Sequence, residues 1–533
     1  MSRRWIVIET GSNQKLVFQT NKQRLNISAS RLIWRVGFEW IPEAARAAGV
    51  SDEDHVVKAS GLGYLFATQD AGRKIIEAVT TRAAVEAPDL EIWGVVGDVD
   101  VDEDLSNLGL ALGDAQRRLA QWRIDKPSPI IRDATLPYTQ LCAFTGRPAV
   151  CYVDEGERGS AYAASEGVAK LWTQAQDARK ALVERLSTGA GDSCLVEAAV
   201  VTYEDLQSGD GVANDGWVGV LHADGNGIGD IFTNLRRVES GNELRELIRE
   251  ISETLEQCAW QSVANAIETI AKGAACGKSA PPTNWVLPIL VGGDDITVLL
   301  DGRYAFDFSS ELAEEFERLV NGKKVITETL ELIAMYQEEW VESELIPRAT
   351  APERISLACG LVYTKPHHPF SHSVDFAEQL TASAKSVKLE GRSALDVHVL
   401  HESALRNLDD VRAPMVFEGR ALWAGPIVLG CEDHSRHKNH LREAMRLIRP
   451  AESNGGREPI PSGVLHDLRV ALTTGSSAEL NAVKARATEV SVGRGYESSL
   501  ALLLGEHLEP TGGPAFSRIL TAMELLDVNA EEK

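Results

Sequence analysis

The sequence predicts an α/β chain of several domains, in which short strands pack against helices. Strand-like apolar runs alternate with helical patterns, as at 62–68, 71–84 and 91–97, and this alternation is typical of mixed α/β domains. Two apolar runs flanking 292–295 indicate a β-hairpin, whereas 403–533 shows mainly helical periodicity. A chain of 533 residues exceeds what one hydrophobic core supports, so we expect roughly three domains.

Composition indicates a globular, cytoplasmic protein. Hydrophobic residues make up 44% of the chain and charged residues 25%, as in ordinary globular proteins. The formal charge of -24 argues against nucleic acid covering the whole surface, although a local basic groove remains compatible with it. Seven scattered cysteines favour reduced thiols. No apolar run approaches the ~20 residues that span a bilayer, and Glu9 interrupts the first one, so we predict neither a signal peptide nor membrane association.

The hairpin tip at 292–295 is the stretch most suggestive of chemistry. Gly292 and Gly293 allow a tight turn and the close approach of a ligand. Asp294 and Asp295 supply hard oxygen ligands of the kind that Mg²⁺ prefers. An ordinary hairpin with a solvated acidic turn is the alternative, because glycine and aspartate are common turn residues.

A second acidic stretch precedes the hairpin by some seventy residues. Asp224 ends an apolar strand, a glycine-rich loop follows at 225–229, and a helical pattern begins near Asp230. Free N–H groups of such a loop and the dipole of the following helix favour a bound phosphate. We therefore expect Asp224 to converge with Asp294 and Asp295 around a metal-bound phosphate.

These motifs together resemble a known family. Asp-Gly-Asn-Gly-Ile-Gly at 224–229 and Gly-Gly-Asp-Asp at 292–295 resemble the catalytic palm of the CRISPR polymerases, which are the large subunits of type III CRISPR effector complexes. The family is related to GGDEF diguanylate cyclases. Segments 355–370 and 376–385 are similar to the family's strand after the hairpin and to its next helix, which ends in an Ala-Lys pair.

The resemblance implies two ferredoxin-like palm domains plus a helical C-terminal domain. The expected divisions are a first, non-catalytic palm at 1–140, a linker with a degenerate zinc knuckle at 141–210, the catalytic palm at 211–402 and the helical domain at 403–533. Cys194–Tyr203 is predicted to be a strand that leads into the catalytic palm.

The same resemblance implies the site residues. Asp224 and Asp294 are expected to hold two Mg²⁺ or Mn²⁺ ions, with Asp295 as a further ligand or support. Nucleotide binding is expected at the following residues: Gly225, Asn226, Gly227, Gly229, Gly292, Gly293 and Lys385. Zinc is not expected, because Thr145 stands where a knuckle would have its second cysteine and structural zinc requires four good ligands. Whether Cys142 and Cys151 bind metal is left open.

The implied function is metal-dependent nucleotidyl transfer. ATP would be converted to a cyclic oligoadenylate-like second messenger in antiviral defence, with release of pyrophosphate. A cyclic dinucleotide synthase using GTP or mixed nucleotides is one alternative, and a non-catalytic nucleotide-binding scaffold of a CRISPR effector complex is another. Other effector subunits and guide RNA are possible partners. The base specificity and ring size of the product cannot be deduced from the sequence.

Overall fold

The computed structural model of the chain covers most of the sequence. It describes residues 2–125, 136–154, 161–208, 212, 216–238, 241–275, 282–342, 352–401, 407–430, 434–450, 458–508 and 517–528. Within these ranges no helix combines the length and the apolar character needed to cross a membrane. The domain boundaries predicted at 210/211 and 402/403 lie outside the described residues.

The first domain has a four-stranded sheet covered by helices. Its elements in chain order are β1 Arg3–Gly11, α1 Asn13–Phe18, α2 Gln23–Arg35, α3 Ile41–Ala47, β2 His55–Ala59, β3 Leu62–Ala67, α4 Gln69–Glu86, β4 Glu91–Val101 and α5 Leu108–Asp125. The strand order is β2-β3-β1-β4, and each neighbouring pair is antiparallel. This is the arrangement of a ferredoxin-like domain, so the predicted palm-like fold is confirmed here.

The connecting region begins with a small hairpin and continues as helices. Its elements are β5 Cys151–Asp154, β6 Ala161–Ala164, α6 Glu166–Gly189, α7 Ser193–Ala199 and α8 Tyr203–Ser208. The strand predicted at Cys194–Tyr203 is wrong, because Asp192 caps a helix there by accepting hydrogen bonds from the amides of Cys194 and Leu195. Only Val200 pairs in β fashion, by one isolated parallel bridge to Val286.

The second palm has the same strand order as the first, with longer segments between its strands. Its elements are β7 Val218–Asn226, α9 Ile228–Val238, α10 Gly241–Ala275, β8 Val286–Gly292, β9 Asp295–Asp301, α11 Gly302–Asn321, α12 Lys324–Glu342, β10 Ser356–Thr364, α13 Phe370–Ala384 and β11 Ala394–Val399. The sheet order β11-β10-β7-β9-β8 contains the ferredoxin-like core β10-β7-β9-β8. Apart from the parallel pair β10–β11, the pairs are antiparallel. The predicted second palm is confirmed.

The C-terminal region is mainly helical, as predicted. Its elements are α14 Leu408–Arg412, β12 Val416–Phe417, β13 Arg420–Ala421, β14 Ile427–Val428, α15 Lys438–Ile448, α16 Ser462–Thr473, α17 Ser477–Ser491, α18 Glu497–Leu502 and α19 Ile519–Val528, with a π-helical turn at Leu503–Leu508. β14 joins the palm sheet beside β11. The palm sheet therefore includes a strand from beyond residue 402.

Candidate active site

The end of β7 and the start of β9 bring two aspartates face to face. Asp224 on β7 pairs directly with Asp295 on β9 in an antiparallel ladder. Residues directly opposite one another in such a ladder share one face of the sheet, with Cβ atoms about 4.5–5.5 Å apart. The carboxyl groups of Asp224 and Asp295 therefore project from the same face, at the edge where the hairpin turns.

Asp294 occupies the other side of this edge. The Asp294 carbonyl accepts a 3.0 Å hydrogen bond from the amide of Gly225. A Cβ atom at Gly225 would lie 2.8 Å from the Asp294 Cβ, so glycine is required there for the hairpin to approach. Because side chains alternate along β7, Gly225 faces away from the side that carries Asp224. Asp294 and Asp295 thus diverge across the sheet.

This divergence keeps the three predicted metal ligands from forming one closed cluster. Among the described residues, a single group of three metal-ligating side chains has ligand atoms within 4.8 Å of one another, and it lies in the C-terminal helices. Asp224, Asp294 and Asp295 are therefore a facing pair plus a third carboxylate, rather than a compact triad.

Both hairpin carboxyl groups are held where a negative charge is unfavourable. Burial, together with repulsion by Asp294 and Glu378, raises the pKa of Asp295 to about 7, although 38% of its side chain remains accessible. Burial also raises the pKa of Asp294. A backbone hydrogen bond lowers this pKa and the charge of Glu256 raises it, so the net direction is upward. Asp295 Oδ1 is buried and has no hydrogen-bond partner in the described part of the chain. Grouped carboxylates and a buried oxygen lacking a donor fit a divalent cation, so the residues present suit the metal that the family resemblance implies.

Lys385 reaches the same face of the sheet from the end of α13. Its ammonium forms an ion pair with the Asp224 carboxylate, and about a third of each side chain is exposed. Lys385 therefore lies against a predicted metal ligand and within reach of the face that carries Asp295.

Two further residues of this face were missed by sequence reasoning. His222 Nδ1 lies 3.1 Å from Thr297 Oγ1 and 3.6 Å from Asp295 Oδ1. Burial and the charge of Lys385 lower the pKa of His222 to about 4, so the ring is neutral near pH 7. Glu378 lies on α13, and its charge contributes to the raised pKa of Asp295. Periodicity could have found both, since His222 is two residues before Asp224 on a strand and Glu378 is two helical turns before Lys385.

The predicted glycine-rich loop connects β7 to the start of α9. Gly227 has φ +83°, and a Cβ atom there would meet Pro352 Cγ at 2.6 Å. Asn226 donates from Nδ2 to Ser356 Oγ at 2.9 Å, whereas its buried Oδ1 has no partner among the described residues. Nothing lies within 4 Å of a Cβ atom placed at Gly229, so the helix start is open. Backbone amides at such a helix start favour an anion.

The hairpin tip is also held from the side of α10. The Gly293 amide donates a 2.8 Å hydrogen bond to Glu256 Oε2, and Arg185 binds Glu256 Oε1 at 2.6 Å. The Arg185 guanidinium lies over Trp260 at 4.2 Å and over Trp34 of the first domain at 5.2 Å. Glu256 was missed because a single glutamate within an apolar helical repeat carries no distinguishing sequence signal.

A cavity of about 360 Å³ lies between the two palms. The second palm contributes Gly292, Gly293 and Asp294 to its wall, and the first palm contributes the β2–β3 hairpin. Its lining residues are Val57, Ala59, Ser60, Leu62, Tyr64, Leu112, Gln116, Ile228, Phe232, Arg236, Ile248, Ser252, Leu255, Glu256, Gly292, Gly293 and Asp294. The volume and the mixture of apolar and polar walls suit a small ligand. Lys385 is not among the lining residues, so it faces Asp224 rather than this cavity.

Comparison with known proteins concerns the second palm first. Residues 217–395 match the family model of the Cas10/Cmr2 second palm domain. Residues 217–395 are therefore a Cas10-like palm domain. No curated protein sequence matches the chain. The match covers the β7 strand, the glycine loop, the hairpin and α13, which are the elements that carry the site.

Solved structures show that the likeness extends over the whole fold. Csm1 from T.onnurineus aligns with a TM-score of 0.52 at 14% identity, over 99% of this chain and 70% of that chain. A Csm1-Csm4 cassette in complex with cA4 aligns with a TM-score of 0.53 at 14% identity and the same coverage. A cassette in complex with pppApApA aligns with a TM-score of 0.52 at 14% identity and the same coverage. The TM-scores establish a common fold.

Proposed function

We propose that the chain is a metal-dependent nucleotidyl cyclase of the type III CRISPR kind, which joins ATP molecules into a cyclic oligoadenylate. The observation that carries the proposal is the direct pairing of Asp224 with Asp295, beside the glycine loop that opens α9. Two carboxylates, an open helix start and a nearby lysine are the groups that a metal-bound triphosphate requires. The cavity between the palms adjoins this site through Gly292, Gly293 and Asp294 at the hairpin tip.

The proposed metal ligands are Asp224 and Asp295 on one face, with Asp294 contributing from the other side of the hairpin tip. A bound Mg²⁺ or Mn²⁺ lowers the pKa of an attacking ribose hydroxyl and neutralises charge at the α-phosphate. Cation binding also offsets the burial and the repulsion that together raise the pKa of Asp295. His222 is neutral near pH 7, so it supports Asp295 without competing as a positive charge.

The chain's own cationic and amide groups are proposed to hold the phosphates. The backbone amides of Gly227 and Gly229 at the start of α9 donate hydrogen bonds to phosphate oxygens. Lys385 exchanges its ion pair with Asp224 for a phosphate oxygen, leaving the Asp224 carboxylate available to the metal. Glu256 holds the Gly293 amide, which fixes the hairpin tip while substrate binds.

Adenine specificity and assembly are the finer parts of the proposal. Relatives of the same fold have been solved with cA4 and with pppApApA, which supports ATP over GTP. Those relatives are Csm1-Csm4 cassettes, and we propose that this chain likewise joins other effector subunits, together with guide RNA. Synthesis of cyclic dinucleotides and a purely scaffolding role are the alternatives.

The function is tested by incubating the purified chain with radiolabelled ATP or GTP and Mg²⁺ or Mn²⁺, then resolving the products by chromatography. We expect cyclic oligoadenylate and pyrophosphate from ATP. A cyclic dinucleotide from GTP would support the first alternative. If no product forms, either alone or with its effector subunits, the scaffold alternative is favoured.

We expect Lys385→Ala to weaken binding of ATP about tenfold, the equivalent of ~1.4 kcal/mol for one charge-assisted phosphate contact. Metal binding should be unchanged or tighter, because the substitution removes the cation that is paired with Asp224. Isothermal titration with nucleotide and with metal measures both quantities. Lys323→Ala, at an exposed lysine of the same domain, is the matched control and should change neither. Unchanged nucleotide affinity in Lys385→Ala would contradict the phosphate role.

We expect Glu256→Ala to loosen the hairpin, because the Gly293 amide loses its acceptor and Arg185 loses its carboxylate. Losing such a buried charged acceptor costs about 1–3 kcal/mol, so amide hydrogen exchange at 292–295 should accelerate about tenfold. Product formation should fall with it. Glu253→Ala, at an exposed position of the same helix, is the control. Equal exchange in the two variants would show that Glu256 does not hold the tip.

A further inference from the structure

The C-terminal helices carry a cluster of potential metal ligands far along the chain from the palm motifs. Glu443 lies on α15, and Glu506 and His507 lie in the π-helical turn Leu503–Leu508. One ligand atom from each of the three side chains lies within 4.8 Å of the other two, and this is the only such group of three in the described ranges. π-helical turns are rare and occur frequently at functional sites.

His507 is the observation that distinguishes this cluster from ordinary surface carboxylates. The residue is only 1% exposed, and neither of its ring nitrogens has a hydrogen-bond partner within the part of the chain that the structure describes. An imidazole buried without partners is costly unless something else binds it. Its Nε2 lies 3.9 Å from Glu443 Oε2, so the ring is directed at the carboxylates.

Arg518 and Arg436 are guanidinium groups near the cluster. Arg518 Nη1 donates to the backbone carbonyl of Glu506 at 3.3 Å, and its Nη2 donates to the carbonyl of Ser435. The Arg518 amide also donates to the His507 carbonyl at 3.0 Å. These contacts fix the π-helical turn through backbone atoms, so the side chains of Glu506 and His507 stay available.

We propose that Glu443, Glu506 and His507 bind one divalent transition-metal ion of the Zn²⁺ class, which links α15 to the π-helical turn. Imidazole and carboxylate groups are both ligand types that such ions accept, at ~2.0–2.2 Å from each ligand atom. Two ligand atoms at that distance can be ~4.2 Å apart at most, so the 3.9 Å between Glu443 and His507 lies within reach. Both carboxylates are exposed, so the fourth position would be open to water. The site is independent of the palm and of the proposed cyclase activity.

The test uses the full chain after removal of metal with EDTA, with Zn²⁺ as the probe. The starting protein is Asp224→Asn/Asp295→Asn, because the palm carboxylates would otherwise contribute their own metal binding. We expect this protein to bind one Zn²⁺ per chain in isothermal titration, and to show a higher Tm with Zn²⁺ than without it.

Adding Glu506→Gln or Glu443→Gln should weaken Zn²⁺ binding at least about tenfold and remove the rise in Tm. Both side chains are exposed, so these variants should fold, which His507→Ala need not do. Glu489→Gln, at an exposed glutamate of α17, is the matched control and should bind as the starting protein does. The proposal is overturned if the starting protein binds no Zn²⁺, if both glutamine variants bind it undiminished, or if the control is weakened equally.

Discussion

Asp295→Asn is expected to lower formation of the nucleotide product about a thousandfold. The substitution keeps the size of the side chain but removes the charge opposite Asp224. Loss of one metal-holding carboxylate withdraws several kcal/mol of transition-state stabilisation, and ~4 kcal/mol corresponds to ~10³ in rate. Chromatography of products from labelled ATP measures the effect. Asp307→Asn, at an exposed aspartate of the same domain, should leave synthesis unchanged, and substantial activity in Asp295→Asn would remove the basis of the metal assignment.

The same variant should be at least as stable as the unmodified chain when metal is absent. The pKa of Asp295 in the fold is about 7, above the ~3.9 of an unfolded aspartate. The carboxyl group is therefore protonated in both states below pH ~4. Its ionisation lowers the free energy of unfolding as the pH rises from ~4 through 7. Because 38% of the side chain is accessible, solvent screening reduces the effect to about 1 kcal/mol, or ~2–4 °C in Tm. In EDTA, Asp295→Asn should have a higher Tm than the unmodified chain at pH 8 and the same Tm at pH 4.

Local sequence signals were sufficient to predict the palm and the position of its hairpin. Gly292–Asp295 turns between two apolar runs, and Asp224 ends a strand before a glycine loop, so each motif is encoded within about ten neighbouring residues. The ferredoxin-like order of strands followed from the family resemblance, which rested on these motifs. The observed sheet orders agree with it in both palms.

Contacts between segments far apart in the chain could not be predicted from local sequence patterns. Which hairpin aspartate faces Asp224 depends on strand register, and a shift of one residue would exchange Asp294 for Asp295. Glu256 reaches Gly293 from a helix whose apolar repeat gives no hint of that contact. The ion pair between Lys385 and Asp224 joins residues far apart in sequence, so no local pattern reports it.

The error at Cys194–Tyr203 has a local cause instead. The segment contains three valines, a threonine and a tyrosine, which suit a strand by propensity. Asp192 just before it offers a side-chain cap to two amides, and the cap favours a helix start. Propensity was therefore outweighed by a capping residue that lay outside the apolar run.

The boundary between the second palm and the helical domain is held by a buried ion pair, and breaking it should have the largest effect on stability. Arg412 at the end of α14 binds Asp396 on β11 through two hydrogen bonds of 2.8 and 2.7 Å. The Asp396 side chain is fully buried, and that of Arg412 is 9% exposed. Arg412→Ala would leave the carboxylate charged and unpaired, which costs about 3–5 kcal/mol.

We expect Arg412→Ala to lower Tm by about 10 °C, as measured by thermal unfolding. Arg442→Ala is the control, because Arg442 joins α15 to Asp307 of α11 by a more exposed ion pair that should contribute only about 0–1 kcal/mol. Arg412→Met/Asp396→Leu should recover much of the loss, since replacing both charges with apolar groups leaves no unpaired charge. Equal melting of Arg412→Ala and Arg442→Ala would mean that the buried pair does not secure the boundary. A double variant as unstable as Arg412→Ala would instead show that geometry, and not an uncompensated charge, accounts for the loss.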